Sequence, residues 1–151
     1  RGELGAKMRE WRVAFTRGEP DVDAGRFLAE AYLRQRPRDV AQAEATLRRV
    51  VELEPGDVES LLALERVHTA RGDLAGAIEV LRKLVEADPR RAPRYLQRMA
   101  EHAHALYRDD EAVEYAAAAV ARTSKASAYS PALLLTLELR QKLIMMNTKR
   151  A

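Results

Sequence analysis

The sequence predicts an all-α array of antiparallel helix pairs stacked side by side, and three observations predict it. Pro55 and Pro89 stand 34 residues apart in near-identical phrases, VVELEPGDVESL and LVEADPRRAPRYL, and self-similarity at that period is the signature of a helix-pair repeat. Ala, Leu, Arg and Glu dominate, while Gly (7), Pro (6) and aromatic residues (5%) are few, so helix formers fill almost every segment. Between short breaks rich in Gly, Pro and Asp, the apolar residues recur at helical spacing and no segment shows the alternation of a strand.

Taken in order, residues 3–17 carry Leu4, Met8, Trp11 and Phe15 on one stripe. They read as the second helix of a preceding repeat, lying over the first pair, within an N-terminal segment 1–20. After Gly18-Glu19-Pro20-Asp21 comes a stripe of Leu28, Ala29 and Tyr32, then Pro37-Arg38-Asp39 and a second stripe of Val40, Ala43, Leu47, Val50 and Val51. The pattern restarts after Pro55-Gly56-Asp57 with Leu61, Leu64 and His68. Gly72-Asp73 then introduces Leu74, Ala77, Leu81, Leu84 and Val85. A third unit follows Asp88-Pro89 with Leu96, Met99, Ala100 and Ala103, and its second helix begins at Arg108-Asp109-Asp110.

Asp39, Asp57, Asp73 and Asp109 each precede an apolar run, where a carboxylate accepts from free backbone N–H groups at the positive end of a helix; they are the predicted N-caps. Three pairs result, over about 22–56, 57–91 and 92–124. None can bury its stripes alone, so neighbours must stack. In the final segment, 125–151, the run ALLLTLELRQKLIMM from Pro131 is apolar around too much of its circumference for an exposed helix. Leu133, Leu134, Leu137 and Ile144 are therefore expected either to cap the last repeat or to bind another copy of the chain as a homo-oligomer.

Composition narrows the classes of activity. The formal charge of +3, from 26 basic and 23 acidic residues, is spread without a like-charged block. Without cysteine there is no disulfide and no thiolate metal site. No segment has the apolar length of a membrane span and the start, RGELGAKMREW, lacks the apolar core of a signal peptide. A start at Arg1 reads as an excised piece, and a cytoplasmic setting is the expectation. The Arg/Ala richness points to a bacterial-type scaffold or assembly factor.

There is no Gly-rich phosphate loop, no nucleophile elbow and no paired carboxylates beyond capping residues such as Asp109 and Asp110, so no enzyme and no cofactor are expected. His102 and His104 lie two apart, on different faces of a helix, and His68 is one repeat away. They read as packing or surface residues and not as metal ligands.

Residues 22–124 resemble the tetratricopeptide repeat family. The small residue of the first helix falls on Ala29 and Ala100, the Ala of the second on Ala43, Ala77 and Ala112, the bulky residue after it on Leu47 and Leu81, and the closing Pro on Pro55 and Pro89. Four departures stand out. Glu65 occupies a small-residue position, where it should turn outward or push its helices apart. Arg36-Pro37 looks like a two-residue insertion, Ala116 replaces a bulky residue, and Ser124 stands where Pro is expected.

The resemblance implies a right-handed superhelix with flanking capping helices, whose concave groove is formed by the first helix of each pair. Its outward positions are Arg26, Glu30, Leu33 and Arg34, then Glu59, Leu62, Arg66 and Thr69, then Arg94, Gln97, Arg98, Glu101 and His104. Some family members grip an acidic C-terminal tail through basic and Asn positions. Arg26, Arg94 and Arg98 coincide with the basic ones, whereas Glu30 and Ala63 fill the Asn ones.

The arginines are open to two readings, bidentate partners for an acidic protein or a solvated charged face. Arg90, Arg91, Arg94 and Arg98 with Tyr95 also resemble a phosphate-and-stacking site, against which stand the flanking Glu86, Asp88 and Glu101. The expected function is non-catalytic binding of a protein or peptide in the groove. Self-association through the C-terminal helix is the alternative, and nucleic-acid binding through Arg90–Arg98 is a more remote one.

Overall fold

The computed structural model describes residues 2–123 and 131–150, the side chains of 131–134, 148 and 150 excepted. Among the described residues there are only helices: α1 (Gly2–Thr16), α2 (Val22–Arg34), α3 (Val40–Leu53), α4 (Val58–Ala70), α5 (Leu74–Ala87), α6 (Ala92–Ala105), α7 (Asp109–Arg122) and α8 (Pro131–Arg150). Pro55 and Pro89 lie two residues beyond Leu53 and Ala87, the last residues of α3 and α5. A residue without an N–H cannot extend either helix, so the 34-residue spacing marks where successive second helices stop.

Local chemistry sets the starts. Asp39 accepts from the Gln42 N–H at 3.0 Å and Asp73 from the Gly76 N–H at 2.9 Å, while Asp57, directly before α4, accepts through its backbone carbonyl from the Leu61 N–H at 3.0 Å. Asp21, not among the predicted caps, accepts from the Ala24 N–H at 3.1 Å. Asp109 is corrected. The N-cap of α7 is Arg108, without a side-chain cap bond, and Asp109, one residue inside the helix, bonds instead to Nδ1 of His104 at 2.6 Å. With Asp110 and Glu111 it still places negative charge at the positive end of the helix.

The turns bear out the Arg36-Pro37 insertion: Gln35 to Asp39 is five residues, whereas Arg71–Asp73 and Leu106–Arg108 are three each. Both short turns close in the same way. Gly72 N–H bonds to the Thr69 carbonyl and Asp73 N–H to that of His68; Tyr107 N–H bonds to His104 and Arg108 N–H to Ala103. This closure requires a left-handed residue, and φ is +75° at Gly72 but +59° at the non-glycine Tyr107.

The chain forms two compact units, Arg1–Val67 and His68–Ala151. In the first, α1 packs on α2 and α2 on α3. Met8 joins Leu28, Ala31, Tyr32 and Ala43 in one cluster, and Phe15 joins Ala24 and Val50 in another. Gly25 makes this approach possible, because a Cβ there would stand 2.6 Å from Phe15 Cε2 and 2.8 Å from Val50 Cγ2. Glu65 is corrected as well: its side chain is fully buried and does not turn outward. It stands four residues after Leu61 and three before His68, both buried, so helical phase carries it inward.

In the second unit α6 packs between α5 and α7, and α7 carries α8. Ala112, Ala116 and Ala119 are fully buried on α7, so the small residue at 116 serves a face built wholly of alanine, which lets helices approach closely. His68, in the predicted apolar stripe, is buried and donates from Nδ1 to Asp73 at 2.8 Å. Among the described side chains of α8 the buried ones are Thr136 and Leu139. Leu137 and Ile144, expected either to cap the last repeat or to bind another copy, are 54% and 65% exposed. They lie on the opposite side of the helix from Leu139. The side chains of Leu133 and Leu134 fall outside the described residues.

Candidate interaction face

The apolar stripe of each first helix is buried, so the remaining positions must look outward. On α2, Leu28, Ala29 and Tyr32 are inside, while Glu30 and Arg34 are exposed and Arg26 and Leu33 half-buried. On α4 within the first unit, Glu59 and Arg66 are exposed and Leu62 half-buried. In the second unit Arg94 and Glu101 are exposed and Thr69, Gln97, Arg98 and His104 half-buried. Every predicted groove position therefore reaches the surface of its own unit.

Charge on this face is largely organised within the chain. Arg26, open to reading as a partner for an acidic protein or as a solvated cation, meets three carboxylates of its own chain. Its Nε donates to Asp57 at 2.8 Å and its Nη2 to Glu54 at 2.7 Å, with Asp23 on Nη1. The hydrogen bond to Asp57 raises the guanidinium pKa above its ordinary value despite partial burial, and the three negative charges add to it. For Asp57, burial pushes the carboxyl upward, but the bonds from Ser60 and Arg26 outweigh it and leave the pKa below the usual range. Glu19, Pro20, Asp21, Val22, Asp23, Arg26 and Glu54 line an open recess of about 490 Å³ around this network.

Further along, Arg34 pairs with Glu30 and Gln97 donates to Glu101 at 3.1 Å. Asp109 accepts from Nδ1 of His104 at 2.6 Å, and Nε2 of the same ring accepts from Nζ of Lys142 at 3.3 Å. Lys142 brings α8 to the edge of the α6 face, a neighbour no sequence pattern indicated across 38 residues. Arg66 and Arg94 remain exposed, and among the described residues no acidic side chain holds either.

Two residues stand apart from their expected roles. Tyr95 is 4% exposed and its hydroxyl donates to Asp88 at 3.0 Å. Burial, and then that carboxylate, raise its pKa. Its ring is not available for base stacking, which removes the aromatic half of the nucleic-acid reading. Phe27, which the sequence reading passed over, is 52% exposed and lies against Trp11 with ring centroids 5.6 Å apart. The signal was its phase, one residue out of step with Leu28. Among the described residues no cluster of His, Asp or Glu could hold a metal ion, and no helix is long and apolar enough to cross a membrane.

Helix pairs with buried inner stripes and a polar outward face on every first helix define an α-solenoid of the kind that generally mediates protein–protein interaction. Residues 37–102 match the model of the tetratricopeptide repeat family. Solved structures agree in fold. MamA from AMB-1 is 18% identical with a TM-score of 0.66, covering 94% of this chain and 74% of its own. TTC0263, a thermophilic TPR protein of Thermus thermophilus, is 20% identical with a TM-score of 0.51, over 95% and 74%. The nearly identical TPR-like repeats of a protein assigned as a Podosopora anserina kinesin light chain are 21% identical with a TM-score of 0.60, over 99% and 81%. No curated protein matches the chain in sequence.

Proposed function

We propose that this chain is a non-catalytic binding module that receives an extended peptide or a partner helix on the outward faces of its first helices. The observation that carries this reading is the presence of Arg66 and Arg94, exposed at outward positions without acidic partners among the described residues. On α2, by contrast, Arg26, Glu30 and Arg34 are paired within the chain. An acidic segment would give these cations the bidentate partner they lack. Selection from a displayed peptide library tests it. Enriched sequences should be acidic, and binding should fall on Arg66→Glu or Arg94→Glu. Failure to enrich any sequence, or binding indifferent to both substitutions, refutes it.

A second reading, self-association through α8, rests on a separate observation. Leu137, Ile144 and Met145 are between 54% and 65% exposed on one side of the helix, an apolar surface larger than isolated exposed side chains make. Light scattering of the intact chain across a concentration series tests this directly. A constant monomer mass would sink it.

A further inference from the structure

The α8 helix is apolar around its circumference because it has two apolar faces. Thr136 and Leu139 are buried toward the second unit, while Leu137 and Ile144, seven residues apart and thus on one stripe, are 54% and 65% exposed, with Met145 beside them at 59%. Exposed Arg140 and Lys149 flank that outer stripe, and Glu138 is the helix's single acid. Glu138 falls on the same side, between Met145 and Lys149 in helical phase, so the outer face is an apolar centre whose rim is basic on balance, two cations to one acid.

The first unit carries the complementary pattern. Asp23, Phe27 and Glu30, spaced four and three apart, form one exposed stripe of α2, with Phe27 lying against Trp11. Asp23 also borders the recess lined by Glu19, Asp21 and Glu54, where acids outnumber the one cation, Arg26. On the stripe itself Glu30 is paired with Arg34 and Asp23 with Arg26, so this face is an apolar centre whose acidic rim is the recess side. Pairing α8 with α8 would instead press Arg140 and Lys149 of two copies together.

We propose that the outer stripe of α8 docks on the Trp11–Phe27 face of a second copy, its basic rim meeting the acidic one. This rests on the self-association reading and names the surface that receives α8. Because donor and receiver are different surfaces, the contact is heterologous, and chains either exchange α8 reciprocally or add head to tail.

Two exposed-site variants of the full chain, Leu137→Asp and Phe27→Ser, test the proposal by complementation, read as mass by light scattering. Circular dichroism confirms helicity, and Glu30→Lys replaces Phe27→Ser should that variant lose it. Each variant alone is expected to be monomeric where the parent oligomerises, and their mixture to give a one-to-one dimer through the single intact donor and receiver. Raising the salt concentration should weaken that dimer. If the parent itself is monomeric, self-association fails as a whole. If the parent oligomerises but Phe27→Ser does so equally, or the mixture stays monomeric, the receiving face is wrong while self-association stands.

Discussion

Replacing Tyr107 with glycine should stabilise the protein. The residue closes the α6–α7 turn at φ +59°, where its counterpart in the α4–α5 turn is Gly72 at +75°. A side chain in the left-handed region costs roughly 1–2 kcal/mol, and Tyr107, 93% exposed, returns almost no packing in exchange. Glycine relieves that strain but makes the unfolded chain more flexible, an offset of about 0.5–1 kcal/mol. The net expectation is a gain of about 0.5–1 kcal/mol, which for a chain of this size raises Tm by roughly 1–4 °C. Thermal and urea unfolding followed by circular dichroism measure it. Gly72→Ala is the mirror experiment and should lose about 1 kcal/mol. A lowered Tm for Tyr107→Gly, or a neutral Gly72→Ala, would show that backbone strain does not limit these turns.

Three further outcomes follow from the packing. Folding depresses the Asp57 pKa below its ordinary 3.8, so its contribution is present in full above that value and is lost as pH falls through the folded value. Asp57→Asn should cost about 1–2 kcal/mol in neutral urea melts, and the difference from the parent should shrink below about pH 4. Gly25→Ala forces a Cβ against Phe15 and Val50, and calorimetry should show a loss of about 1–2 kcal/mol even after the gain in helix propensity. Leu139→Ala removes the most buried apolar side chain described on α8. It should free that helix by about 2–4 kcal/mol, seen as faster amide exchange confined to α8.

The fold was legible where its causes are periodic. Burial repeats with the helix, so Leu61, Leu64 and His68, or Ala77, Leu81 and Leu84, announce their inner face from spacing alone, and each cap at Asp39, Asp57 and Asp73 is a bond within a few residues. The interaction face was legible only as a set of outward positions. What Arg26 does depends on Glu54 and Asp57, 28 and 31 residues away, and what His104 does depends on Lys142. Those distances are set by stacking, which no local pattern encodes. Glu65 misled through analogy, since the family's preference for a small residue said nothing of where this one points. Phe27 was readable from its phase, one position before the buried Leu28 and so turned outward.

The Arg26 cluster bears on how the array comes apart. Asp57 is at once the cap of α4 and the acceptor for a guanidinium rooted in α2. Fraying the first turn of α4 therefore strips a counter-charge from the helix pair before it, and pulling α2 away uncaps α4. In a linear lattice of repeats, stability is a sum of site energies and nearest-neighbour couplings. Here one carboxylate embodies such a coupling, so Arg26→Met should broaden the melting transition, as the first pair and the start of the second cease to unfold in concert.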